Sequence, residues 1–279
     1  MNINVDRFGP WAVVTGASSG IGREFARRLA ASGINLVLVA RRLATLHDMG
    51  AALAARRGIA YRAVGVDLSE PGLLTPIVEA TADLDVGLLV SNAGAANPGA
   101  FLESDLDAQR GIVRLNTTAH LDLTHHFGQR LVRRGRGGIV LVSALGASHG
   151  VPYMANAAAT KAYVASLGEA LHVELAKQGV HVTVLHPGPT QTPVLAELGL
   201  DAGKMLIPPM SVERCVSETL RALARNRARC IPGRINRVTA ALAPPGLTRT
   251  MMAAMLSHPD RGQHSRPVGH SAGPPAQRT

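Results

Sequence analysis

The most constraining feature of this chain is a glycine-rich turn between a short apolar run and a helical pattern. The apolar run, residues 11–14, predicts a strand, and residues 23–31 predict a helix. Residues 15–22 between them read Thr-Gly-Ala-Ser-Ser-Gly-Ile-Gly. Glycines let the main chain approach a pyrophosphate, and the free amides of a helix N-terminus favour its negative charge. The pattern therefore predicts a dinucleotide site. The residues expected to contact its phosphates are Gly16, Ser18, Ser19, Gly20, Ile21 and Gly22.

The next apolar run, residues 34–40, ends in Arg41 and Arg42 rather than in an acid. In dinucleotide folds an acid at this place holds the ribose hydroxyls, whereas arginine suits a 2′-phosphate through paired, charge-assisted hydrogen bonds. We therefore expect NADP(H) as the cofactor. The alternative is that the arginine pair only solvates the loop.

Four later apolar runs also end in small or polar residues. They predict strands over residues 64–67, 86–94, 138–142 and 180–185. Ligands of open parallel sheets bind outside the carboxyl ends of the strands, so these ends should face the cofactor. The alternation of strands and helices predicts a single doubly wound α/β domain, with a central parallel sheet and helices on both faces. The candidates at these strand ends are Asp67, Leu68, Asn92, Ala93, Gly94, Ser143, Pro187 and Gly188.

Length and composition suit one domain. The 279 residues are 46% hydrophobic, enough to bury a full core. We place the domain at residues 1–257 and interpret residues 258–279, rich in Pro, Gly, Ser, His and Arg, as a disordered tail. The start has no signal-peptide pattern, and Cys215 and Cys230 match no metal spacing. We therefore expect a cytoplasmic protein with no metal site.

With these pieces in order, the chain resembles a classical short-chain dehydrogenase/reductase, whose fold is of the Rossmann type. The resemblance spans most of residues 9–233. It further implies an NADP(H)-dependent oxidoreductase for a hydrophobic ketone or alcohol, and residues 9–16 resemble the branch that reduces long-chain 3-oxoacyl groups and steroids. A polyketide-like substrate is also compatible. The matching pieces are the TGxxxGIG string at Thr15 to Gly22, Asn92-Ala93-Gly94, Asn116, Ser143, Lys161, and Pro187-Gly188 with Thr190 and Thr192 beyond.

The resemblance also implies roles for these residues. Ser143 would polarise the carbonyl, and Lys161 would hold the nicotinamide ribose and lower the pKa of a phenol. Asn116 would support proton relay, and residues 92–94 would line the nicotinamide side. The helical patterns at about 104–134 and 157–177 imply a homodimer or homotetramer, unless both helices only cover the sheet.

The chain departs from the family at one position. Four residues before Lys161, where the tyrosine that donates the proton should stand, it has Ala157. Nothing else in the active constellation has decayed, so we interpret the chain as a Tyr-to-Ala inactivated variant. Two alternatives stay open. One is a non-redox enzyme, such as a natural-product cyclase, and the other is a cofactor-sensing binding protein.

Four other side chains could in principle carry the missing proton: Tyr153, Tyr163, His149 and His186. Tyr163 lies six residues after Ala157 and should point to another helix face. The alternative for each of the four is a side chain that packs in the fold or lines the substrate pocket.

The net charge of +10 would suit nucleic acid, but the basic residues are scattered and the aromatic content is only 3%. We predict a small hydrophobic substrate and no nucleic-acid partner. Residues 190–207 should form a substrate lid. Residues 235–256 are apolar but interrupted by Arg237 and Arg249, so they should not span a membrane. We expect this extension to form a pocket wall or subunit contact, with docking on a membrane surface as the alternative.

Overall fold

A seven-stranded parallel sheet forms the centre of the chain in this computed structural model, which describes residues 3–197, 203, 208–242 and 244–256. The strand order is β3-β2-β1-β4-β5-β6-β7, which confirms the doubly wound α/β prediction. The strands are β1 (Trp11–Thr15), β2 (Asn35–Ala40), β3 (Tyr61–Gly65), β4 (Val86–Ser91), β5 (Gly137–Val142), β6 (Val180–Leu185) and β7 (Arg229–Cys230).

Helices cover both faces of this sheet. Successive strand residues point to opposite faces, so Val14 packs in one core cluster and Val13 in the other. The first cluster contains side chains of α2, α3 and α9, and the second contains side chains of α4, α6 and α7. The helices are α1 (Val5–Phe8), α2 (Gly20–Ala31), α3 (Leu43–Arg57), α4 (Leu74–Glu79), α5 (Leu106–Val113), α6 (Ala119–Arg134), α7 (Ala155–Ala176), α8 (Pro193–Glu197), α9 (Val212–Ala224), α10 (Arg234–Leu242) and α11 (Pro245–Leu256).

Close packing fixes α7 against the sheet. A Cβ on Gly168 would lie only 2.4 Å from Cγ2 of Val184 and 2.9 Å from Cδ1 of Leu141. The absence of a side chain there lets α7 approach β5 and β6 directly. Lys161 lies two turns earlier on the same helix, so this contact sets its height above the strand ends.

One strand was predicted at the wrong residues, and another was not predicted. The third strand covers Tyr61–Gly65 rather than residues 64–67, because three of its first residues are half-buried and form no continuous apolar run. Asp67 therefore lies two residues beyond the strand end. The edge strand β7 was not predicted, since it has two residues and one of them, Arg229, is exposed.

The two predicted long helices are present, with one interruption. The first begins at Leu106, and a π-helical turn at Arg114–Thr118 separates α5 from α6. A π-helical turn contains more residues than an α-helical turn, so it changes which side chains of the helix face the sheet. Asn116, inside the turn, is fully buried as a result.

The C-terminal extension forms α10 and α11. A Cβ on Gly188 would lie 2.5 Å from the side chain of Asn236, so α10 packs directly on the loop after β6. No helix in the described ranges is long and apolar enough to cross a membrane. The predicted lid is described at residues 190–197 and 203, and the predicted tail lies outside the described residues.

Candidate active site

The glycine turn lies at the carboxyl end of β1, where the strand order reverses between β1 and β4. Gly16 has φ +63°, and a Cβ on it would lie 2.7 Å from Nδ2 of Asn92. A Cβ on Gly22 would lie 2.3 Å from the Gly16 carbonyl oxygen. Both positions therefore exclude a side chain. The N-cap residue Ser19 makes no side-chain hydrogen bond to the first amides of α2, which leaves that helix end suited to an anion.

A second segment, residues 91–95, is fixed beside this turn. The hydroxyl oxygen of Thr15 accepts hydrogen bonds from the main-chain amides of Asn92 at 2.9 Å and Ala93 at 3.0 Å. Nδ2 of Asn92 donates to the Thr15 carbonyl at 2.9 Å. The glycine turn and the 91–95 segment thus form one rigid crevice, and both had been predicted to contact the cofactor.

Arg41 and Arg42 are exposed just past the end of β2. Burial would raise the pKa of Asp67, but hydrogen bonds from Ser69 and the charge of Arg41 outweigh it and lower that pKa. Arg41 and Asp67 therefore face the same end of the crevice. The side chain of Leu68 is buried, so only its main chain could contact a ligand.

Residues after β6 close the other side of the crevice. Leu145 donates its amide to the Pro187 carbonyl at 2.9 Å, which joins the loops after β5 and β6. Thr190 donates its hydroxyl to the Gly188 carbonyl at 2.8 Å. Thr192 packs on the glycine turn, since a Cβ on Gly20 would lie 3.2 Å from its Cγ2.

Ser143 and Lys161 lie together at the end of β5. The Ser143 hydroxyl donates to the Lys161 carbonyl at 2.7 Å, and Nζ of Lys161 donates to the Val142 carbonyl at 2.9 Å. Burial lowers the pKa of Lys161 to about 8. A Cβ on Gly94 would lie 2.8 Å from this Nζ, so the amine borders the 91–95 segment.

Asn116 connects that segment to α7. Its Oδ1 accepts from the Ala95 amide at 3.0 Å, and its Nδ2 donates to the Ala95 carbonyl at 2.9 Å and to the hydroxyl of Thr160 at 3.0 Å. Thr160 in turn donates to the carbonyl of Ala157 at 2.7 Å. Asn116, Ser143, Lys161 and Ala157 therefore belong to one cluster.

Ala157 is 6% exposed and lies in the first turn of α7. Its methyl group has no acidic hydrogen. Within the described residues, no hydrogen bond joins Ser143 or Lys161 to any of the four side chains considered as substitute proton donors. Those side chains are Tyr153, Tyr163, His149 and His186.

Two of these four have identifiable other surroundings. His186 is buried beneath the loop after β6, with Nδ1 3.4 Å from the Ala144 carbonyl oxygen and Nε2 3.7 Å from the Glu169 carboxylate. Tyr153 has a left-handed backbone, φ +60°, and its carbonyl accepts from the Gly99 amide at 2.8 Å.

Three polar residues that build the site had no predicted role. Thr15 and Thr160 directly precede predicted residues, Gly16 and Lys161, and this adjacency was the available signal. The third, His120, follows Asn116 by one helical turn and is 1% exposed. The helix α6 contains many polar and charged residues, including two further histidines, so its sequence does not indicate the partners of His120.

The fold and this site define a nucleotide-binding α/β enzyme class, and comparison identifies the family. Residues 10–203 match the family model for short chain dehydrogenase. The chain belongs to the short-chain dehydrogenase family of oxidoreductases.

Individual relatives agree with this membership. The chain is 36% identical over 214 residues to a very-long-chain 3-oxoacyl-CoA reductase-like protein of Arabidopsis thaliana, covering 74% of this chain and 68% of that one. A solved 7β-hydroxysteroid dehydrogenase has 26% identity and a TM-score of 0.84, with 91% of this chain and 100% of that chain covered. A short-chain dehydrogenase from Sphingobium yanoikuyae in complex with NADPH has 32% identity and a TM-score of 0.76, with 88% and 95% covered.

Proposed function

We propose that this protein is an NADP(H)-dependent oxidoreductase for a hydrophobic ketone or alcohol, present here in a Tyr-to-Ala inactivated form. The observation that carries the proposal is the cluster of Ser143, Lys161 and Asn116 around Ala157, directly beside the glycine turn. The similarity to 3-oxoacyl-CoA and 7β-hydroxysteroid enzymes supports an extended apolar substrate. A polyketide-like substrate is of the same class.

The choice of NADP(H) rests on charge at the crevice. Arg41 and Arg42, which are exposed after β2, would donate hydrogen bonds to the 2′-phosphate. Arg41 lies near enough to Asp67 to affect its pKa. The N-terminus of α2, where Ser19 makes no side-chain capping hydrogen bond, would bind the pyrophosphate. A family member of 32% identity has been solved with NADPH, which supports the same cofactor here.

The cofactor supplies the hydride, and the chain supplies polar groups for the carbonyl. As hydride arrives at carbon, negative charge grows on oxygen, where a donated hydrogen bond stabilises it. Ser143 fills this role once its hydroxyl turns from the Lys161 carbonyl towards the substrate. Lys161 would hold the ribose. Asn116 ties the 91–95 segment to α7 through its hydrogen bonds to Ala95 and Thr160.

Protonation of that oxygen is the step this chain lacks. A methyl group at position 157 cannot act as a general acid. General-acid catalysis typically raises the rate by about 10² to 10⁴. We therefore expect this chain to bind NADPH and to reduce ketones slowly. The intact surroundings of Ala157 support a single exchange of tyrosine for alanine rather than gradual loss of the site.

The test compares this chain with its Ala157→Tyr and Ala157→Phe variants. NADPH oxidation is followed against bulky ketones and 3-oxoacyl thioesters. We expect fast turnover only from the tyrosine variant, because phenylalanine restores the ring without the hydroxyl. Equal turnover by the parent chain would contradict the assignment of the missing acid.

A different result would favour the alternatives. If all three proteins bind NADPH and none oxidises it, the redox proposal is wrong. Product analysis would then look for a substrate that cyclises without a change in nicotinamide absorbance. A protein partner captured only with cofactor bound would favour a sensor.

We also propose a homodimer or homotetramer, through α6 and α7. Several apolar side chains on this surface are exposed, including Val173 at 70%, Tyr163 at 41% and Leu121 at 42%. Light scattering on the purified chain tests this, and a monomer at micromolar concentration would contradict it. A cytoplasmic location stays a prediction.

A further inference from the structure

His120 lies directly behind the crevice, in the first turn of α6. Its side chain is almost completely buried. Nδ1 is 2.8 Å from the Ser91 hydroxyl oxygen, and Nε2 is 3.1 Å from the Ala93 carbonyl oxygen. The imidazole thus contacts the two residues that flank Asn92.

The chemistry of these partners fixes the hydrogens on the ring. A carbonyl oxygen can only accept, so Nε2 of His120 carries the hydrogen and donates to Ala93. A neutral imidazole has a single N–H, so Nδ1 accepts from the Ser91 hydroxyl. Burial, with a smaller effect of the Lys161 charge, lowers the pKa of His120 to about 3 and keeps it neutral.

The 91–95 segment is thereby held from opposite sides. Thr15 binds the amides of Asn92 and Ala93 from β1, and His120 binds the carbonyl of Ala93 from α6. The next residue, Gly94, borders the Lys161 amine. A displaced Ala93 carbonyl would therefore move the main chain against which Lys161 lies.

We infer that His120 is a positioning residue for the nicotinamide end of the cofactor, acting through the hydrogen bonds it makes with Ser91 and Ala93. The inference rests on the proposed NADP(H) function, because it assigns the 91–95 segment to the nicotinamide side. His120 touches no reacting atom. It sets the depth and tilt of the 91–95 segment, which would line the nicotinamide.

The distinguishing test uses two ligands on the chain as it stands. NADPH would occupy the whole crevice, whereas adenosine 2′,5′-bisphosphate lacks the nicotinamide half and would bind only towards the Arg41 end. The variants are His120→Leu, which removes both bonds, and His120→Gln, whose amide can still donate to Ala93. His172→Leu is the matched control, since Nδ1 of His172 bonds the Val182 carbonyl at 2.9 Å, away from the crevice.

We expect His120→Leu to weaken NADPH binding by about tenfold, the effect of one or two net hydrogen bonds. Binding of the bisphosphate should change by less than about twofold, because Arg41 and Arg42 are untouched. His120→Gln should recover most of the NADPH affinity. His172→Leu should leave both affinities unchanged.

Other outcomes separate the failures. Equal weakening of both ligands by His120→Leu would show general loosening of the fold and overturn the inference. Unchanged NADPH affinity in both His120 variants would overturn it too. If the parent chain binds neither ligand, the NADP(H) proposal is wrong, and the inference that rests on it is wrong too. Should His120→Leu not fold, His120→Asn decides, because its shorter amide can reach only the position of Nδ1 and loses the bond to Ala93. A fall of threefold or more in NADPH affinity alone then supports the inference, and no change contradicts it.

Discussion

The hydroxyl of Ser143 donates to the main-chain carbonyl of Lys161 at 2.7 Å, while the Lys161 amine donates to the carbonyl of the residue before Ser143 at 2.9 Å. The two side chains thus join the end of β5 to α7 in both directions. Residues proposed for chemistry therefore also hold two elements together. Their substitution should affect both stability and activity.

Ser143→Ala separates these two contributions. In the parent chain it removes one buried hydrogen bond, so the free energy of unfolding in urea should fall by about 0.5–1.5 kcal/mol. In the Ala157→Tyr background it also removes the donor to the developing oxyanion, so kcat should fall by about 10² to 10³. A kcat loss below about fivefold would show that Ser143 does not polarise the carbonyl.

Cofactor affinity should depend on the charge of Lys161. Burial lowers the pKa of this amine to about 8, so it is an ammonium below that pH and a neutral amine above it. The ammonium offers three hydrogens and attracts the cofactor phosphates. NADPH affinity, measured by fluorescence titration from pH 6 to 10, should fall as the pH rises through about 8. The Lys161→Met variant should lack this inflection, and its persistence there would assign the effect to another group.

Arg41 and Arg42 should determine the preference for NADPH over NADH. Each arginine can make charge-assisted hydrogen bonds to a 2′-phosphate, and such bonds contribute about 1.5–3 kcal/mol. Arg41→Ala and Arg42→Ala should each weaken NADPH binding by about 10- to 100-fold and leave NADH nearly unchanged. Arg57→Ala, an exposed arginine at the end of α3, is the control. Parallel losses for both cofactors would contradict 2′-phosphate recognition.

The parts of the candidate site that consist of main chain and glycine residues could be predicted from the sequence. The turn at residues 15–22, the segment at 92–94 and the order of the strands follow from apolar runs and from the conformations that glycine allows. These are local properties of the sequence. The structure therefore agrees with the predicted doubly wound sheet.

The sequence did not predict the long-range polar contacts of the site. The partners of His120 lie about 30 residues earlier in the chain, and Asn116 reaches Thr160 across 44 residues. No local pattern encodes such pairs. The strand over Tyr61–Gly65 was misplaced because its first three residues are half-buried at the sheet edge and form no apolar run. Its position is set instead by pairing with β2.

Gly16 should be intolerant of a side chain for two separable reasons. It has φ +63°, and a Cβ would clash with Asn92 and Ala93. Gly58, at the end of α3, has φ +67° with nothing within 4 Å of such a Cβ. Gly58→Ala should therefore cost only the left-handed backbone strain, about 1–2 kcal/mol in the free energy of unfolding. Gly16→Ala should cost more and abolish NADPH binding. Equal costs with retained binding would show that the crevice adapts.

His120 should impose a pH dependence on stability. Its pKa is about 3 in the folded chain, against an ordinary value of 6.5. Between these values the unfolded chain holds the proton and the folded chain does not, so the free energy of unfolding falls as the pH falls below about 6.5. The slope is up to about 1.4 kcal/mol per pH unit. The His120→Gln variant lacks this group.

The stability difference between the parent and His120→Gln should therefore shrink as the pH falls from 7 to 5. Urea unfolding of both proteins at several pH values measures it directly, and other titrating groups cancel in the difference. A difference that stays constant over this range would show that His120 takes up its proton in the folded chain over the same pH range as in the unfolded chain. In the protonated imidazole, Nδ1 could not accept from Ser91. The tautomer assigned to His120, with Nδ1 accepting from Ser91 and Nε2 donating to Ala93, would then be wrong.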